Sequence, residues 1–90
     1  MDTDARPRPR PEVAAVPLDD DLVVHDSRTG ENYLLNGTAA HIWSLCDGAR
    51  TATDIAQRVA SAYAVDYRQA LDDVQTLIRR LHDARLLATQ

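Results

Sequence analysis

The rhythm of apolar and polar positions changes once along the chain, at Asn36. Before it, apolar residues come in short runs over 13–18, 22–25 and 31–35, with the content of β-strands. Asp19-Asp20-Asp21 separates the first two runs and reads as a turn. Asp26-Ser27-Arg28-Thr29-Gly30 separates the second and third. Asp and Ser side chains bond their own backbone and Gly accepts a positive φ, so a hairpin loop is expected there. Two successive hairpins make a three-stranded antiparallel meander whose third strand lies at an edge. Pro17 lacks a backbone donor, which suits the opposite edge.

After Asn36 the period is helical. Ala39, Ile42, Trp43 and Cys46 fall at i, i+3, i+4 and i+7, with Asn36 or Thr38 as start and Gly48 just beyond the end. Thr51 and Asp54 resemble a capping box for a second helix with Ile55, Ala56, Val59, Ala60 and Tyr63 as its apolar face. Asp66 and Gln69 mark a third start. That helix, over 66–85, carries Ala70, Leu71, Val74, Leu77, Ile78, Leu81 and Ala84, and Leu86 and Leu87 close the chain against the core. The first two helices meet in a tight turn, as in a helix-turn-helix. The expected fold is α+β and winged helix-turn-helix-like: a three-stranded antiparallel sheet followed by three helices.

Ninety residues, 44% of them apolar, allow one small domain, here 13–90. Residues 1–12 alternate Pro7, Pro9 and Pro11 with Arg6, Arg8 and Arg10 and hold almost nothing apolar. This segment is expected to be a disordered, polyproline-like tail, dispensable for stability. Its charges cancel, so the net charge of −4 sits on the body and disfavours nucleic acid and anionic membrane. A single Cys excludes an intrachain disulfide and fits a reducing compartment. No apolar run has the length of a membrane span and no signal-peptide layout is present, so a cytoplasmic location is expected.

Candidate chemistry is sparse. His25, His41 and His82 stand in no metal-ligand spacing with one another or with Cys46, whose place on an apolar stripe makes a buried, inert thiol the expectation. Glycine-rich phosphate loop, serine elbow and paired carboxylates are missing from the sequence, so no enzyme, metal or cofactor is expected. The helix-turn-helix opens an alternative, a winged-helix DNA-binding transcription regulator. Electrostatics disfavour it: in the third helix Asp66, Asp72, Asp73 and Asp83 balance Arg68, Arg79, Arg80 and Arg85.

The pattern Asp26-x-x-x-Gly30, Tyr33-x-Leu35-Asn36-x-Thr38-Ala39-x-x-Ile42, Cys46-Asp47-Gly48-x-Arg50-Thr51 and x-Asp54-Ile55, with Asp73-Val74, Leu77, Leu81 and Leu86, resembles the PqqD family. The resemblance covers about residues 18–88. It implies a recognition element for ribosomally made, post-translationally modified peptides: a non-catalytic adaptor that binds the leader segment of a precursor peptide and presents it to a modifying enzyme. The implied partner is a radical SAM protein, as in pyrroloquinoline quinone synthesis, or a leader peptidase, as in lasso peptide pathways. The implied mode is strand addition to the third strand, Glu31, Asn32, Tyr33, Leu34 and Leu35. The implied wall on the third helix is Leu71, Val74, Gln75, Ile78 and Arg79, with His82 at one end.

Overall fold

Among the described residues, 5–89 of a computed structural model, the elements run β1 (Pro7–Pro9), β2 (Val13–Leu18), β3 (Asp21–Asp26), β4 (Glu31–Leu35), α1 (Gly37–Leu45), α2 (Ala52–Tyr63), α3 (Tyr67–Asp83) and β5 (Leu87–Thr89). The three-stranded sheet has the order β2-β3-β4, all antiparallel, so β4 is an edge as the meander requires. Asp19-Asp20 forms the first turn, with Asp19 at φ +56°, a region Asp tolerates better than most residues. Gly30 takes φ +77° in the second, where Asp26 O accepts from Gly30 N–H at 2.8 Å. The fold is the winged helix-turn-helix-like α+β arrangement that the periodicity implied.

Local side-chain chemistry places the helix starts. The Asn36 side chain accepts from Ala39 N–H and caps α1. Thr51 and Asp54 form a complete capping box on α2, at 3.2 and 3.1 Å, with Asp doing what Glu usually does. Asp66 caps α3 through Arg68 N–H. α3 ends in a Schellman-type turn: Leu86 N–H reaches back to Leu81 O at 2.9 Å, and Arg85 adopts φ +62°, where Gly is usual.

One apolar core joins sheet and helices. Val24 and Leu35 enter it from the sheet, Ile42, Trp43 and Cys46 from α1, Ile55 and Val59 from α2, Val74, Ile78 and Leu81 from α3, and Leu86 and Leu87 from the chain end.

The tail departs from expectation. Residues 1–4 lie outside the described residues, but Pro7–Pro9 form β1 and pair antiparallel with Leu87–Thr89. The proline-arginine alternation explains how. In an antiparallel ladder every second residue bonds the partner strand. Arg10 N–H donates to Leu86 O at 3.1 Å, which puts Arg8, opposite Ala88, in the same bonded set. Pro7 and Pro9 then turn away from β5, where a missing N–H costs nothing. Pro7 is buried, and its carbonyl accepts from Gly48 N–H at 2.9 Å. The period-2 pattern is thus a strand signature, and residues 7–9 belong to the folded body.

Two outcomes check this account. Deleting residues 1–11 lowers stability by about 2 kcal/mol, since at least two backbone hydrogen bonds and the buried Pro7 ring are lost; an unchanged thermal midpoint would return these residues to a dispensable tail. Trp43, 6% exposed, anchors the core, and Trp43→Ala costs about 3–5 kcal/mol in a denaturant titration.

Candidate functional site

The ladder of the main sheet decides which backbone groups are free. The two-residue turn makes Leu18–Asp21 a bonded pair, and alternation from there bonds Val16 to Val23 and Ala14 to His25. Ser27 N–H donating to Glu12 O at 3.0 Å continues the same set. β3 therefore uses Leu22, Val24 and Asp26 to bond Leu35, Tyr33 and Glu31 of β4. The N–H and C=O groups of Asn32 and Leu34 point off the sheet edge, and no turn or cap among the described residues takes them.

The opposite edge is closed. Pro17 faces outward on β2 without a donor, and Val13 N–H is taken by Arg10 O at 3.1 Å. Only Ala15 remains there.

Below the β4 edge runs a groove of about 490 Å³ between strand and α3. Asn32, Tyr33, Leu34 and Leu35 line one side; Leu77, Arg80, Leu81, Ala84 and Leu86 line the other. The floor is apolar, and Arg80 is a cation on its rim. Tyr33 donates its hydroxyl to Glu31 Oε2 at 2.6 Å, and this bond, with burial, raises its pKa above the ordinary value. A second depression, on α2 between Arg50, Asp54, Gln57, Arg58 and Ser61, has charged and polar walls and no strand edge, so it does not suit an extended peptide.

The strand residues named from the sequence thus bear on the groove: four line it and Glu31 orients Tyr33. The helix residues do not. Val74 and Ile78 are fully buried in the core, Leu71 and Gln75 are half-buried, Arg79 and His82 are exposed, and none of the six lines the groove. Successive α-helical residues advance about 100°. Leu71, Gln75, Ile78 and His82 fall on one flank of the buried stripe and Leu77, Arg80 and Ala84 on the other. The second flank faces β4. The apolar period showed the stripe but carried no signal for which flank meets which neighbour.

The hairpin end of the groove is built on a buried carboxylate. Asp26, 1% exposed, accepts from Arg28 N–H at 2.9 Å and Nε at 3.1 Å on Oδ1, and from Arg28 Nη2 at 2.9 Å on Oδ2. The Arg28 side-chain bond holds the Asp26 carboxyl below its ordinary value, against burial, which raises it. Cys46 is buried, donates to Ile42 O and has its thiol pushed up to about 12 by burial and by Asp47. Among the described residues no group of three or more His, Cys, Asp or Glu is placed to hold a metal, and no helix is long and apolar enough to cross a membrane.

A family model described as coenzyme PQQ synthesis protein D (PqqD) matches residues 21–87. The chain belongs to the PqqD family. Two solved structures resemble this PqqD-family chain over nearly its whole length. One is a lasso peptide synthetase B1 complexed with the leader peptide, 31% identical, TM-score 0.83, covering 92% of this chain and 98% of that one. Another is TbiB1 in complex with the TbiA(beta) leader peptide, 25% identical, TM-score 0.82, covering 89% and 93%. No curated protein matches the chain.

The depressed Asp26 pKa has a pH signature. Its contribution to stability is full above the ordinary carboxylate value of 3.8 and is lost as pH falls through the lower folded value. Asp54, held down chiefly by Thr51 N–H, and Asp47, by Ala49 N–H, act in the same direction. The thermal midpoint should fall steeply below about pH 4, and less steeply in Asp26→Asn; identical slopes for the two proteins would remove Asp26 from the account.

Proposed function

We propose that this chain binds the leader segment of a ribosomally made precursor peptide as an added strand on β4, and presents the rest of the precursor to a modifying enzyme without doing chemistry itself. The observation that carries the reading is the free backbone pair of Asn32 and Leu34 directly above an apolar groove. An extended peptide satisfies those groups, and its alternate side chains enter the groove. PqqD-family membership and the two similar structures with bound leader peptides support it. Resemblance to a lasso peptide synthetase B1 favours a leader peptidase over a radical SAM protein as the enzyme served. The regulator reading has no observation in its favour, since the exposed side of α3 mixes acids and arginines evenly.

Arg80 gives the groove a charge preference for an acidic residue in the leader. The test is a titration with a synthetic precursor leader peptide that carries an acidic residue. Leu34→Pro removes one of the two edge donors but no β3–β4 bond, and its side chain is already 65% exposed. Affinity falls about tenfold, or 1.4 kcal/mol, with the fold retained. Arg80→Glu weakens binding of an acidic leader by a similar factor and flattens its salt dependence, whereas Arg79→Glu, on the back of the helix, leaves it unchanged. Equal effects at 79 and 80 would place the peptide elsewhere.

A further inference from the structure

The two walls of the groove belong to elements far apart in sequence, and one side chain that lines neither wall ties them together. Arg28 lies in the β3–β4 hairpin. Its Nη2 donates to Asp26 Oδ2 at 2.9 Å and also to the backbone carbonyl of Arg85 at 2.8 Å. Asp26 sits opposite Glu31, the first residue of β4. Arg85 sits between Ala84 and Leu86, both of which line the other wall. One guanidinium therefore spans from the start of the peptide-receiving strand to the turn that ends α3.

We propose that Arg28 is a positioning residue that sets the width of the groove at its hairpin end. The inference rests on the leader-binding reading above. Its bond to Asp26 is local, two residues away, and orients the guanidinium. Its bond to Arg85 O is the long-range one and acts on the separation between walls, not on either wall alone. Arg85 takes a left-handed φ of +62°, a cost for a non-glycine residue. That conformation turns its carbonyl out of the helix, where Arg28 takes it. The planar fork of Arg serves Asp26 and the carbonyl together; the single ammonium of Lys keeps the charge but not that geometry. The Arg28 side chain is 30% exposed, so it adds little to the core that holds the helices.

The experiment compares wild type, Arg28→Lys and Arg85→Ala. In the free proteins, amide hydrogen exchange at Leu86 and Tyr33 should quicken about tenfold in Arg28→Lys relative to wild type, with protection at Val74 and Ile78 unchanged. Binding of a fluorescently labelled synthetic leader peptide should weaken about tenfold in Arg28→Lys. Arg85→Ala keeps the carbonyl and the backbone turn and should bind as wild type does. Uniform loss of protection across the core, or wild-type affinity in Arg28→Lys, overturns the proposal. A wild-type protein that binds no leader would instead refute the leader-binding reading, and the exchange comparison would still decide whether Arg28 holds the walls together.

Discussion

A single apolar layer carries both halves of the groove. Val24 and Leu35 reach it from the sheet, and Val74, Ile78 and Leu81 reach it from α3. With four aromatic residues in ninety, the chain builds that layer from aliphatic side chains that interlock only if every element contributes. The groove is the seam along which this layer stops: Leu35 and Leu81 are core residues on their inner side and groove residues on their outer side. Stability and recognition are therefore not separable at these two positions. The edge groups of Asn32 and Leu34 and the rim charge of Arg80 are separable, because they lie outside the layer.

Much of this was legible in the sequence. The meander, the three helices, the Thr51–Asp54 box and the β4 edge all follow from local rules: a period of two, a period of 3.6, and side chains that cap what the backbone leaves open. Two things were not legible. The Pro-Arg segment has the composition of a disordered lead, and composition is silent on register. Its ordering depends on β5, some eighty residues later, so no local window contains the information. The expected helix wall differs from the groove lining for a related reason. Leu71, Gln75 and Ile78 are as amphipathic in pattern as Leu77, Arg80 and Ala84. The choice between those flanks is made by how α3 crosses the sheet, a tertiary quantity.

The resemblance to the PqqD family and the free strand edge reach the same conclusion by independent routes. One rests on motif residues such as Leu35-Asn36-x-Thr38-Ala39, which build the β4–α1 junction. The other rests on hydrogen-bond alternation counted from the turn at Asp19-Asp20. The two share Asp26, Tyr33 and Leu35, but one reads them as side-chain types in a motif and the other as positions in a backbone ladder.

The proline placement has a consequence for the molecule in solution. β1 keeps the donorless nitrogens of Pro7 and Pro9 off its ladder with β5, where Gly48 N–H already takes the Pro7 carbonyl, and β2 keeps that of Pro17 off its ladder with β3. Within the three-stranded sheet, β4 then offers two free positions, Asn32 and Leu34, where the β2 edge offers Ala15 alone. An unpaired border of that kind is the part of a sheet that joins other strands, and the prolines confine it to one side of this sheet.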